Sequence, residues 1–164
     1  MKKRVSILGS GISGIGAAIL AKDKGYDVFL SDKSKLDSKV KSKLDSISVS
    51  WEENKHTYNL LKKSDLIIKS PGIPNESEIV IKLKKSNIRI ISEIEFASLH
   101  TNSFVIGITG SNGKTTTTQL IYHILKESGL NVGIAGNIGT SFSKQIAENS
   151  FDYYVLEISS FQLD

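Results

Sequence analysis

The chain contains no cysteine. That excludes a disulfide scaffold and any Cys-ligated metal site. Its only two prolines fall together in Ser70-Pro71-Gly72-Ile73-Pro74, which marks a rigid turn. No apolar run approaches the roughly 20 residues that span a bilayer. Aromatic residues make up 7% of the sequence, and the lysine runs Lys33 to Lys43 and Lys82 to Lys85 have none interleaved. A nucleic-acid binder would stack bases on such rings, so these runs read as solvated helix surface. Charge is unevenly spread: residues 1–98 hold 18 Lys/Arg against 12 Asp/Glu, whereas residues 99–164 hold 3 against 5. The basic excess is consistent with an anionic ligand or with solubility alone.

What is present is ordinary in bulk. At 164 residues with 39% apolar content, the chain forms one domain or two small ones. Met1-Lys2-Lys3-Arg4 stands before an apolar segment, as in a signal peptide. Gly9, Gly11, Gly14 and Gly16 interrupt that segment, and no small-residue cleavage site follows. A cytoplasmic location is therefore expected.

The sequence alternates short apolar runs with longer mixed segments. Strands are expected at Arg4 to Leu8, Asp27 to Ser31, Ile47 to Ser50, Asp65 to Lys69 and Ile88 to Ile91. Helices are expected at Ser13 to Lys24 and Glu76 to Ser86. This rhythm predicts an α/β fold with a doubly wound parallel sheet. Ser92 caps a short segment through Leu99, and polar Thr101-Asn102-Ser103 follows. The boundary is placed there, dividing the chain at about residues 1–95 and 96–164. The second unit opens on Phe104 to Ile108, expected as a buried parallel strand, then a helix from about Thr116 to Ser128. Further strands are expected at Asn131 to Ala135 and Tyr153 to Ile158.

Two glycine-rich turns carry the chemistry. In Gly107-Ile108-Thr109-Gly110-Ser111-Asn112-Gly113-Lys114-Thr115-Thr116 a strand, a Gly-rich loop, Lys-Thr and a helix follow in the order of a phosphate-gripping P-loop. Backbone N–H groups and the helix N-terminus would cradle the phosphates of ATP. Lys114 would neutralise the outer phosphates, and the Thr115 hydroxyl would reach Mg2+. One irregularity stands: a strict P-loop has glycine where this chain has Ile108. The other turn, Gly9-Ser10-Gly11-Ile12-Ser13-Gly14, follows the first strand and opens a helix. Asp32 ends the second strand, where dinucleotide-binding folds place an acid against a ribose. Taken alone, this turn suggests NAD, though it admits any diphosphate or close helix–strand packing with no ligand.

Together these segments resemble the Mur ligases, which build the peptide of bacterial cell-wall precursors. That family's loop also lacks the first P-loop glycine. Gly136-Asn137-Ile138-Gly139 and Leu156-Glu157-Ile158-Ser159-Ser160-Phe161-Gln162-Leu163 resemble the member that adds D-glutamate to UDP-N-acetylmuramoyl-L-alanine. The resemblance implies a Rossmann-like first domain that holds a UDP-sugar, followed by the start of a P-loop-type ATP-binding α/β domain. It implies that Ile12 and Ser13 meet the diphosphate, Asp32 and Lys33 lie near the uridine and Gly72 near the uracil. Gly110, Ser111, Asn112, Gly113, Lys114, Thr115 and Thr116 would bind ATP, with Lys114 and Glu157 serving catalysis. Thr115 and Glu157 would hold Mg2+; Asn137 and Ser159 would touch the UDP-sugar. The chemistry implied is γ-phosphoryl transfer to a carboxylate, giving an acyl phosphate that the D-glutamate amine attacks, with no nucleic-acid or membrane partner and a monomeric full-length parent. His56, His100 and His123 are expected on the surface or on helices, and Trp51 in the core or at a strand end.

Full-length members have three domains, so the chain is expected to be a truncated product or fragment, inactive alone. A non-catalytic UDP-sugar-binding module and an NAD-binding oxidoreductase domain remain as alternatives.

Overall fold

The computed structural model describes residues 2–162. Five strands, β1 (Arg4–Leu8), β2 (Asp27–Ser31), β3 (Ser50–Glu52), β4 (Leu66–Lys69) and β5 (Ile90–Ser92), form an all-parallel sheet in the order β3-β2-β1-β4-β5. Between them run α1 (Ile12–Asp23), α2 (Ser38–Ser46), α3 (Tyr58–Leu61) and α4 (Glu78–Lys85); α5 (Glu93–Ser98) follows β5. The apolar strand residues alternate between two helical layers. Val5, Ile7, Val28, Leu30 and Ile68 join the core beneath α1 and α5. Leu8, Phe29 and Ile67 join Leu61, Val80 and Leu83 of α3 and α4. Both faces are covered, as parallel sheets require.

The second unit contains β6 (Phe104–Ile108), α6 (Lys114–Glu127), β7 (Val132–Gly136), α7 (Phe142–Glu148), β8 (Tyr153–Glu157) and a 3-10 turn at Ser160–Gln162. Its strands are parallel, in the order β6-β8-β7. The strand expected at 104–108 is present, but it is not buried. Phe104 is 64% exposed, and Val105 is exposed too. The reason is topological: among the described residues β6 pairs only with β8, so it is an edge. Leu120 and Ile124 of α6 are exposed as well.

The expected strand at Ile47 to Ser50 is also displaced. Asp37 accepts the Lys39 N–H at 2.8 Å and caps a helix the sequence pattern did not reveal. Ile47 then closes that helix, Ser48 turns at φ +54°, and the strand starts at Ser50. Replacing Asp37 with Ala removes the cap and is expected to cost about 1 kcal/mol, read from urea denaturation, with no change in ligand affinity.

One apolar core runs through both units. Helix α1 is buried nearly all round, at Gly14, Gly16, Ala17, Ala18, Leu20 and Ala21. A helix apolar on every side needs partners on every side. One partner is the first sheet; the other is α7. Ala135, Phe142, Tyr154 and Leu156 belong to the same cluster as Val5 and Ala17. Gly16 makes the approach possible, because a Cβ there would overlap the Ser141 hydroxyl and stand 3.3 Å from the Lys144 nitrogen. Glu93, 2% exposed, crosses the same seam: its Oε1 accepts the Ser143 N–H at 2.5 Å, at the first turn of α7.

Candidate functional site

In a doubly wound sheet the ligand crevice lies beyond the strand C-termini, where the strand order reverses. Here the chain steps from β1 to β2 on one side and returns to β4 on the other. A cleft of about 930 Å³ opens at that point. Its walls come from the turn after β1 (residues 9–13), the turn after β2 (residues 32–34), residues 54–58 beyond β3, the turn after β4 (residues 70–74) and the first part of α4. Ile12, Ser13, Asp32, Lys33 and Gly72 thus share one cleft.

The Gly9–Gly14 turn is shaped by close contact. Gly9 sits at φ +95°, and a Cβ on Gly14 would run into the Gly9 carbonyl. The head of α1 has Gly11 as its cap, with no side-chain cap bond. Its first-turn N–H groups are the kind that receive an anion. Asp32 accepts three donors: Ser10 N at 2.7 Å, Ser10 Oγ at 2.6 Å and Ser34 N at 2.8 Å. Burial pushes this carboxyl up, but the Ser10 and Ser34 bonds, helped by His56, outweigh burial and hold it below the ordinary range. On the opposite wall Lys69 Nζ donates to the Ile73 carbonyl at 2.8 Å and ties the proline turn shut. Lys33, Lys55 and Lys82 stand around the cleft. Lys82 is engaged with Glu78.

The second loop caps α6 with Gly113 at φ +74°, a left-handed residue that aims the chain into the helix. Lys114 Nζ folds back on the Gly110 carbonyl at 2.5 Å. Strand register brings Glu157 beside Ile108 and Gly136. Thr115 Oγ1 donates to Glu157 Oε2 at 2.6 Å, and Asn137 Nδ2 donates to Oε1 at 3.0 Å. Gly136, at φ +105°, is required here, because a Cβ would meet the Glu157 carbonyl. Thr115, Asn137 and Glu157 therefore form one cluster, with Glu157 2% exposed. Ser159 turns elsewhere: its N–H and hydroxyl both bond Gln162 Oε1, at 2.9 and 3.0 Å. Asn137 and Ser159 are not among the residues lining the first cleft. Leu163 of the quoted motif lies outside the described residues.

The sequence reading missed His56 as a cleft residue. It is half-buried, not at the surface, and its Nδ1 lies 2.7 Å from Ser31 Oγ. The signal was hidden because the displaced β3 moved the following turn. His100 is partly sheltered too, edge-on to Tyr26 and Phe96. Trp51 lies in β3, its Nε1 donating to Asp45.

Two parallel sheets, each with a glycine-rich turn running into a helix, define an α/β architecture of the Rossmann-like kind. Residues 4–79 match the MurD N-terminal domain and residues 108–164 the Mur ligase middle domain. The chain belongs to the Mur ligase family. It is 56% identical over 164 residues to UDP-N-acetylmuramoylalanine--D-glutamate ligase of Christiangramia forsetii, covering 100% of this chain and 37% of that relative. The chain thus spans little more than a third of the curated relatives it matches. A pseudomurein peptide ligase type C from Methanothermus fervidus is 31% identical with a TM-score of 0.58, covering 97% of this chain and 33% of that one. UDP-N-acetylmuramate:L-alanyl-gamma-D-glutamyl-meso-diaminopimelate ligase from Neisseria meningitides shares the fold at 22% identity. Its TM-score is 0.63, and the match covers 96% of this chain and 52% of that one.

Proposed function

We propose that this chain supplies the UDP-sugar cleft and the ATP-phosphate loop of a ligase that joins D-glutamate to UDP-N-acetylmuramoyl-L-alanine. Residues 1–95 would form the UDP-sugar domain and residues 96–164 the start of the ATP domain. The observation that carries this reading is the Thr115–Glu157–Asn137 cluster at the head of α6. It turns a glycine-rich turn into a site with a hydroxyl and a carboxyl side by side. That all-oxygen pair suits Mg2+, which takes one or two protein groups and fills its shell with waters and phosphate oxygens. Among the described residues no group of three or more His, Asp or Glu offers a self-sufficient metal cage.

The chemistry would run as follows. A carboxylate oxygen of the alanyl substrate attacks the γ-phosphorus of ATP, and ADP leaves with the bridging oxygen's electrons. The D-glutamate amine then attacks the acyl carbon, loses a proton, and inorganic phosphate departs. The obstacle is charge: two like unit charges ~4 Å apart at an effective dielectric of about 20 repel by about 4 kcal/mol. Lys114, swung from the Gly110 carbonyl onto the phosphates, would offset that repulsion. Thr115 and Glu157 would hold Mg2+, which supplies further neutralisation of the transferring group. Ile12 and Ser13, at the head of α1, would receive the UDP diphosphate, Asp32 and Lys33 would lie near the uridine, and Gly72 near the uracil. Asn137 and Ser159 would touch the muramoyl part.

Asp32 argues against the oxidoreductase alternative. Its carboxyl is taken up by Ser10 and Ser34, so it clamps the glycine turn and does not stand open for a ribose diol.

Titration calorimetry on the chain should show UDP and UDP-N-acetylmuramoyl-L-alanine binding, and no NADH binding. NADH binding without UDP binding would reverse the assignment. Lys114→Ala should weaken Mg-ATP about tenfold or more, the scale of one charge-assisted hydrogen bond, while UDP affinity stays unchanged.

A further inference from the structure

Strand β6 leaves four backbone groups without partners among the described residues. The Phe104 N–H donates to the Asp152 carbonyl, and the Ile108 carbonyl accepts the Ile158 N–H. Both polar groups of a strand residue point to one side, and the side alternates along the strand. Phe104, Ile106 and Ile108 therefore direct theirs at β8, and Val105 and Gly107 direct theirs outward. Among the described residues no strand lies on that side. Exposed edges are normally blunted by charge, proline or a bulge. Phe104-Val105-Ile106-Gly107-Ile108 has no charge and no proline, and its register with β8 runs unbroken through all five residues.

The four groups set the register of a partner. In an antiparallel pair, opposed residues alternate between those that exchange two hydrogen bonds and those that exchange none. A second copy of β6, turned about a two-fold axis through Ile106, places Val105 opposite the other copy's Gly107. That pair exchanges two bonds, and the symmetry makes the pair twice. Every outward group on both edges is then satisfied, and Ile106 meets its own copy where side chains come closest.

The side chains beside the edge fit the same axis. From β6 to β7 the chain crosses the sheet one way, and from β7 to β8 it steps back. Right-handed crossovers therefore put α6 and α7 on opposite faces. Tyr154 packs edge-on against Phe142 of α7, and Val105 lies beside Tyr154 in the register. Phe104 and Ile106 accordingly face the α6 side, where Leu120 and Ile124 are exposed with Phe104. An axis normal to the sheet sets the two α6 helices on one face, running in opposite directions. Phe104, Leu120 and Ile124 of both copies then line one apolar seam. The positive head of each α6, with Lys114, lies toward the negative tail of the other, with Glu127. Lys126, near that tail, is held over its own Tyr122 ring.

We propose that β6 and α6 form a two-fold interface with a second copy of this chain, joining two three-stranded sheets into one of six strands.

Sedimentation velocity from low micromolar to near-millimolar protein should show the mass rise from 17.9 kDa toward twice that value. Hydrogen exchange should protect the Val105 and Gly107 amides in the concentrated sample and leave them open in the dilute one. The Ile106 and Ile108 amides should be protected in both. Val105→Lys and Leu120→Lys should each weaken association about tenfold or more, since the symmetry brings two new like charges onto one seam. Both positions are exposed in the single copy, so the variants should fold, which thermal melts check. A chain that stays at 17.9 kDa at every concentration overturns the proposal. Association that survives both substitutions, or that leaves the Val105 and Gly107 amides open, overturns it too, because another face then holds the copies.

Discussion

Gly14→Ala should be among the most damaging single-methyl changes. The new Cβ would run into the Gly9 carbonyl oxygen and stand 2.9 Å from the Gly9 carbonyl carbon, with Ser70 Oγ at 3.3 Å. The first two are backbone atoms, so no rotamer change relieves the overlap. The turn must lift off the helix, and overpacking of this kind costs about 1–3 kcal/mol, occasionally more. The functional loss should be larger than the stability loss, because the turn and the head of α1 are what would receive the diphosphate. UDP affinity measured by calorimetry should disappear even in molecules that still fold. Gly11→Ala is the control: a Cβ there meets nothing within 4 Å, and its backbone is extended, at φ −69°. It should cost no more than about 1 kcal/mol, the scale of losing a good N-cap residue, and less than Gly14→Ala. Equal effects at the two positions would refute the steric account.

Glu93→Ala should loosen the seam between the two units. The side chain is buried, and its Oε1 satisfies the Ser143 N–H in the first turn of α7. Its other oxygen, Oε2, has no hydrogen-bond partner among the described residues. Truncation leaves a buried donor unpaired, which costs about 1–3 kcal/mol, and a cavity adds to that. Glu93→Gln behaves differently, since its amide oxygen can still accept from Ser143. Burial raises the Glu93 pKa above its ordinary 4.5, with Ser143 opposing. A group raised in the folded state contributes stability that is complete below 4.5 and is lost as pH rises through the folded value. Wild type should therefore weaken relative to Glu93→Gln as pH climbs above 4.5, in paired denaturation curves. Asp32, Glu52 and His56 are shifted in the opposite sense, but both proteins share them and they cancel. A gap that stays constant with pH would show that the buried carboxyl is as ionised as it is in the unfolded chain, so that its pKa is not raised.

The sequence made the first sheet legible because its strands are buried on both faces. Runs such as Val28 to Leu30 and Leu66 to Ile68 are continuously apolar, and turn residues bound them. The glycine turns were legible for a similar reason: Gly14, Gly113 and Gly136 answer local demands of close approach or positive φ, which residue type alone signals. What stayed hidden depends on distant partners. The small residues of α1 were visible, but not that Ser141, 125 positions from Gly16, would fill the space above them. Phe104 to Ile108 looked like any buried strand, because apolar composition does not report how many neighbours a strand has. His56 needed the Ser31 and Glu52 side chains, from two other strands, before it meant anything.

The packing of α1 against α7 has a metric consequence. Helix α1 begins at the Gly9–Gly14 turn, and α7 follows the turn after Gly136. Because the two helices share one solid core, the gap between those turns is as fixed as a distance within a single domain. The seam works as a caliper. Under the proposed function, a ligand that reached from one turn to the other would have to match that fixed span.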